Sequence, residues 1–309
     1  GDVGLFGGLF DLDKVGAGRD HVLVASADGV GTKLNVARMM GVYDSVGRDL
    51  VQHCIGDILV QGARPLFFMD YVGTGELDPE IISAVISGCA DACADNGLAL
   101  LGGETAEMPG VYQGKDFDLV GFIVGVVHRS KILDGSRIRP GQKLLGLPSS
   151  GLHTNGYSLA RKIAFERLGH DVHDKPKALE GDSVGEALLR PHRSYLSVLW
   201  PLLEAGKIAG MAHITGGGLV ENPPRALPGC HARIDRESWT VPPLFRWLCE
   251  AGEIEMDERY RVFNMGIGMV LAVDESDVAS VRQALEAAGE PVFEIGDVAD
   301  EEGETEWLR

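Results

Sequence analysis

The chain has 309 residues, with 28 Lys and Arg against 46 Asp and Glu, a formal net charge of −18 at pH 7. That sign repels polyphosphate backbones and argues against nucleic acid as a partner. Small phosphorylated ligands stay open, because a divalent cation can bridge carboxylate to phosphate. Hydrophobic residues at 45% and charged residues at 24% are globular values, and no run approaches the roughly 20 apolar residues that cross a bilayer, so no membrane partner is expected.

At this length two domains are expected. Gly1 to Phe10 carries no basic stretch ahead of an apolar core, so no signal peptide is read there. An apolar run over 21–27 predicts a strand, and helical spacing of Val46, Leu50, Ile55 and Ile58 predicts a helix over 44–61. A strand over 66–72, interrupted by Asp70, precedes a helix over 79–95 that Pro79 opens. Strands over 98–101 and 119–128 complete this half. Residues 129–142 turn basic and rich in Gly and Pro, and the boundary is placed there, giving domains of 1–135 and 136–309. The second half alternates again: strand 143–147, helix 156–168, a long helical tract over 183–206, strand 208–214 and a short helix over 219–227. A helix at 243–251, a strand at 267–273, a helix at 276–288 and a strand at 291–298 follow. The predicted class is α/β in two domains.

Five scattered cysteines, Cys54, Cys89, Cys93, Cys230 and Cys249, suit a reduced cytoplasmic protein. Cys89 and Cys93 fall on one helix face and read as buried packing rather than a redox or metal pair. The 42 glycines are about twice average usage. They gather beside acidic and hydroxyl residues at strand ends, where backbone approaches a ligand closely.

Three such clusters stand in the first half. Asp28-Gly29-Val30-Gly31-Thr32-Lys33 follows a strand; its small residues, the Lys33 charge and the Asp28 carboxylate suit phosphate and metal, although an Asp-Gly turn explains it equally. Asp57 sits in an apolar helical stretch ending at Gly62, either on a wet face or as a buried acid needing a cation. Gly103, Glu104 and Thr105 follow the strand at 98–101, where acids at α/β strand ends meet ligands; a helix cap is the plainer reading. Asp28, Asp57 and Glu104 together suggest a Mg²⁺ cluster, because hard cations take carboxylates and phosphates together. In the second half, Ser149 to Gly156, with Ser150, His153 and Asn155, and His213 to Gly218, with Thr215, Gly216, Gly217 and Gly218, read as two anion-binding turns or as two tight turns. No G-x-G-x-x-G after a strand, no G-x-S-x-G elbow and no H-E-x-x-H is present.

Together, Asp28 to Lys33, the D-x4-G-A-x-P run from Asp57 to Pro65, Gly102 to Gly110, Ser150 to Ser158, His213 to Gly218 and Phe263 to Met269 resemble the aminoimidazole ribonucleotide (AIR) synthetase family, the phosphoribosylformylglycinamidine cyclo-ligases. The resemblance runs over nearly the whole chain in order. It implies a homodimer whose N-terminal domains pair their sheets into a barrel flanked by C-terminal α/β domains. It implies ATP and Mg²⁺ as cofactors and formylglycinamidine ribonucleotide as substrate, closed to AIR with release of ADP and phosphate in purine biosynthesis. On this reading Asp28, Asp57 and Glu104 hold Mg²⁺–ATP, with Gly29, Gly31, Thr32, Lys33, Gly103 and Thr105 around the nucleotide. Lys33, His153 and Asn155 are then catalytic, and Ser150 with Thr215 to Gly218 binds substrate. Relatives also carry a further N-terminal segment, and have glycine where Leu5 stands. The rivals are another kinase or synthetase of the same superfamily, or a non-catalytic nucleotide-binding dimer.

Overall fold

The structure is a computed structural model that describes residues 8–11, 13 and 18–309; most of the stretch Gly1 to Phe10 lies outside the described residues. The alternation of apolar runs and helical spacing becomes two separate sheets, each covered by helices. In chain order the first half comprises β1 (Gly8–Asp11), β2 (His21–Gly29), α1 (Lys33–Met40), α2 (Asp44–Leu59), β3 (Arg64–Thr74), α3 (Pro79–Asn96), β4 (Ala99–Glu107) and β5 (Phe117–His128). Their sheet runs β1-β2-β5-β3-β4, with β3 and β4 parallel and the other pairs antiparallel. Even-numbered residues of β2 and odd-numbered residues of β5 face the helices, which buries Val24 and Ile123 against Leu50, Ile55 and Ile58 of α2. Each such side chain contributes about 1.5–3 kcal/mol on burial. α3 starts on Asp78, whose carboxylate accepts from the Glu80 and Ile81 amides, and stops on left-handed Gly97.

The second half contributes β6 (Lys143–Pro148), α4 (Tyr157–Arg161), α5 (Val184–Leu189), α6 (Leu196–Glu204), β7 (Gly210–His213), α7 (Gly218–Ala226), β8 (Cys230–Ile234), α8 (Pro243–Gly252), α9 (Met256–Val262), β9 (Ile267–Val273), α10 (Val278–Ala287), β10 (Phe293–Asp300) and β11 (Glu306–Trp307). This sheet runs β11-β8-β10-β6-β9-β7. β9 is buried along its whole length. α1 packs on α5 and α2 on α6, so the two halves meet along helices. Together they form a two-domain, mixed α/β protein.

Several elements depart from the sequence expectation. β4 extends to Glu107, so Gly102 to Glu107 is strand rather than a loop or cap after one. The long tract over 183–206 divides into α5 and α6, because Pro191 ends helical hydrogen bonding between them. α1, β8 and α9 are too short for periodicity to reveal. The outer face of the first sheet leaves Met69, Val120 and Phe122 between 36% and 44% exposed, and Leu101 on the neighbouring edge strand β4 is 63% exposed.

α2 and α3 approach through two glycines. A Cβ on Gly47 would lie 2.0 Å from the Val85 carbonyl oxygen, and one on Gly88 would lie 1.9 Å from that of Asp44. Gly88→Ala therefore forces the helices apart, and an unfolding titration is expected to lose about 1–3 kcal/mol; unchanged stability would mean that the contact is not tight.

Candidate active site between the domains

Two of the acids singled out by sequence, Asp28 and Asp57, meet where α2 faces the second domain. Asp28 ends β2, with Oδ1 accepting from the Gly29 amide at 2.6 Å. Asp57 lies on the last turn of α2, 7% exposed, and its Oδ2 accepts from Ser26 Oγ at 3.2 Å. His53, one helical turn before Asp57, places Nε2 2.8 Å from Asp28 Oδ2 and 3.7 Å from Asp57 Oδ2. Burial alone would lower the His53 pKa, but the charges of Asp57, Asp28 and Asp49 outweigh it and lift it to about 8. At neutral pH this ring is an imidazolium that donates from Nε2 to Asp28 and from Nδ1 to Thr154 Oγ1, 2.6 Å away across the domain seam.

A second chain of imidazoles runs through the seam. His192 Nδ1 donates to the Arg193 carbonyl at 2.8 Å, which leaves Nε2 of the neutral ring as an acceptor. His213 Nε2 lies 3.1 Å from that atom and must donate to it. His213 Nδ1 then faces Asp57 Oδ1 at 2.9 Å, a contact that needs a shared proton. His213 has room only because position 56 is glycine: a Cβ there would lie 2.5 Å from its Cε1. His153 stacks on His192 with ring centres 3.8 Å apart, and its Nε2 accepts from the Ser150 amide. Burial drives the pKa of both rings far down.

Beside this floor, a groove of about 530 Å³ opens between the domains, lined among others by Gly31, Thr32, Asn155, Ser158, Gly216 and Gly217. Thr32 Oγ1 and Ser158 Oγ, both on its lining, hydrogen-bond to each other between the domains at 3.3 Å. Gly217 is left-handed (φ 93°) and leads into α7, whose first amide, that of Gly218, donates back to the Thr215 carbonyl at 3.0 Å. Thr215 Oγ1 donates to Asn222, and Gly218 packs so tightly on α9 that a Cβ would meet the Tyr260 oxygen at 2.1 Å.

Four expectations change. Lys33 does not face the groove: its ammonium is fully buried and bound to Asp49 Oδ2 at 2.6 Å and to the carbonyls of His153 and Arg190 at 3.0 and 2.9 Å. These contacts use its three protons, so none remains for a phosphate. Glu104 does not join Asp28 and Asp57 within one chain. It pairs with Tyr71, then Val120, then Gly29, three strand spacings or about 14 Å across the sheet. Gly103 and Thr105 share that edge strand. Ser150 donates to the Pro191 carbonyl and opens on a separate cavity of about 280 Å³. The His153 ring is locked in the seam rather than presented to the groove.

Sequence reasoning missed His53, Asp49 and His192. His53 had a signal, four residues before Asp57 on the same helix face; His192 had none, since its partners come from 143 and 21 residues away. Asp28 and Asp57 bring carboxylate oxygens from different elements within 4.8 Å of each other and of a His53 ring nitrogen, and these oxygens suit Mg²⁺ where the cation takes the place of the His53 proton.

Comparison with known proteins defines the class. The family model for the N-terminal domain of AIR synthase related proteins matches residues 9–127, and that for the C-terminal domain matches 139–308. A phosphoribosylformylglycinamidine cyclo-ligase from Geobacter metallireducens is 54% identical over 99% of this chain and 87% of its own length. The one from Bifidobacterium animalis subsp. lactis is 48% identical over 98% and 88%. The chain therefore belongs to the AIR synthase related family, among the phosphoribosylformylglycinamidine cyclo-ligases. The fold is also that of thiamine-monophosphate kinase from Stenotrophomonas maltophilia, at TM-score 0.71 and 18% identity over 94% of this chain and 86% of that one. Hydrogenase maturation protein HypE, solved with ATP, matches at TM-score 0.65 and 19% identity over 90% and 77%.

Gly56→Ala is expected to push His213 off Asp57 at a cost of about 1–3 kcal/mol. Histidine-selective NMR should show the His213 ring resonances shifted while those of His231, on β8, stay in place; an unmoved His213 would refute the contact.

Proposed function

We propose that this chain closes the imidazole ring of AIR, using ATP to activate formylglycinamidine ribonucleotide and releasing ADP and phosphate, as a cytoplasmic step of purine biosynthesis. The observation that carries the reading is the meeting of Asp28 and Asp57 beside a groove walled by Thr32 and by both Gly-rich turns of the second domain. Relatives about half identical over nearly the whole chain bear that activity in their names. The formamide oxygen of the substrate is a poor leaving group until phosphoryl transfer turns it into phosphate. The substrate's own amidine nitrogen then attacks the same carbon, and this ring closure gains chiefly from orientation.

In this arrangement Asp28 and Asp57 would hold Mg²⁺, which would supply positive charge beside the transferring phosphates. Thr32 and the backbone of Gly29 and Gly31 flank the nucleotide. Asn155 orients the substrate, and the backbone amides of Gly216 and Gly217 take its phosphate. His213 and His53 keep the two carboxylates aimed. Five buried free thiols suit a reducing compartment. We place the domain boundary at 135/136, in the connection between β5 and β6.

The reading includes a homodimer. Its support is the apolar outer face formed by Met69, Val120 and Phe122, continued by Leu101 on the edge strand β4. Joined there, two chains would bury that face and bring Gly103, Glu104 and Thr105 to the interface, which is where we place their contribution to ATP.

Purified protein given Mg²⁺–ATP should release ADP only when formylglycinamidine ribonucleotide is present, with one AIR per ADP. Asp57→Asn should cut turnover at least about 100-fold with unchanged circular dichroism. Near-normal turnover of that variant would overturn the metal assignment, and ADP release without AIR would favour a kinase of the superfamily. Gel filtration at micromolar concentration should give twice the chain mass; a monomer would remove the dimer from the account.

A further inference from the structure

Lys33 and Asp49 stand out among the described residues as a lysine and an aspartate both withdrawn from water, with side chains 0% exposed. Burial lowers the pKa of the ammonium and raises that of the carboxyl, and each partner pulls the other back towards its charged form. Such a pair is poor value as stability alone, since apolar residues of similar volume often do as well. Its contacts show what else it does. Lys33 opens α1 and Asp49 lies on α2, both in the first domain, yet three of their remaining bonds cross to the second. Lys33 Nζ donates to the carbonyls of His153 and Arg190, and Asp49 Oδ1 accepts from the His192 amide at 2.5 Å.

Two of those points, the His153 backbone and the His192 amide, are ones on which the site's geometry turns. His153 is a non-glycine residue in the left-handed region, φ 60°, a conformation that needs outside support. The next residues are Thr154, which receives His53, and Asn155, which lines the groove. His192 carries the ring on which His153 stacks and to which His213 donates, and His213 in turn faces Asp57. One ammonium thus sits at the head of two lines of contact, one ending on Asp28 and the other on Asp57.

We propose that Lys33 and Asp49 are positioning residues: a buried latch between the domains that fixes the His153 backbone and the His192 amide, and through them the aim of Asp28 and Asp57 at the transferring phosphate. The proposal rests on the cyclo-ligase reading and deepens it, because it moves Lys33 from the phosphates to the seam. Neither side chain touches ATP or substrate.

The test uses the full chain and two variants. Lys33→Met keeps the bulk of the stem and removes the three donors, but leaves Asp49 as an unpaired buried charge. Lys33→Met combined with Asp49→Asn removes that charge and keeps an oxygen for the His192 amide. Calorimetry with Mg²⁺ and a non-hydrolysable ATP analogue counts sites that are folded and competent; kcat is then expressed per such site. A latch predicts that the double variant binds the analogue with unchanged stoichiometry and a Kd within about 3-fold of wild type. Its kcat per site should fall about 100-fold, the loss expected when reacting groups drift by an ångström. Should the single variant fail to fold, the double variant carries the test. Stoichiometry and rate falling together, with kcat per site retained, would make the pair merely structural and overturn the proposal. Loss of analogue affinity by about 100-fold with kcat per site retained would return Lys33 to the phosphates and overturn it equally. A wild-type chain that makes no AIR from substrate and ATP defeats the function itself, a result separable from either of these.

Discussion

Charge withdrawn from water must be paired, and this constraint decides how the two domains sit. Asp49, Asp57, Lys33 and the rings of His53, His153, His192 and His213 are all buried at the seam. An unpaired charge there would cost several kcal/mol, and several of these groups find part of their pairing on the opposite domain. His53 reaches Thr154, His213 reaches Asp57, and Lys33 reaches the 153 and 190 carbonyls. Apolar packing alone would tolerate a range of sliding positions, whereas this set of contacts is satisfied in one.

The same constraint explains why the groove is where it is. Strand ends supply Asp28 and the turns after β6 and β7, and α2 supplies Asp57, so no single element carries the site. Glycines make the convergence possible at particular places. Gly56 admits the His213 ring and Gly268 admits His153 and the Tyr195 hydroxyl, which a Cβ would meet at 2.6 and 2.1 Å. A protein built this way binds on a rigid floor and needs little reorganisation at the reacting centre.

Much of the fold was legible in the sequence. Long periodic segments such as α2 and α3, and apolar strands such as β5 and β9, announce themselves through burial on one face. The short elements α1, β8 and α9 do not, because five to eight residues give too little period and their existence depends on tertiary packing. Asp28, Thr32, Asn155 and the Gly216-Gly217 turn were legible because each sits in a Gly-rich strand end, and Asp57 because it is an acid in an apolar helical stretch. Lys33 was legible as important but misread in place, since sequence shows a charge beside a turn and not the acid, 16 residues on, that buries it. His192 was invisible: its meaning comes entirely from partners brought by the fold. Glu104 reads as a neighbour of Asp28 only if strand order is ignored, and strand order is a property of the folded sheet.

The central claim is that metal and nucleotide lie at the seam, against Asp28 and Asp57. The most direct measurement replaces Mg²⁺ by paramagnetic Mn²⁺ with the non-hydrolysable ATP analogue and records the histidine ring resonances. His53 and His213 touch the two carboxylates, whereas His231 on β8 lies four strand spacings, about 19 Å, from β7. The account predicts that His53 and His213 broaden first as Mn²⁺ is added while His231 stays sharp. Broadening that spares His53 and His213 would place the metal elsewhere and contradict it.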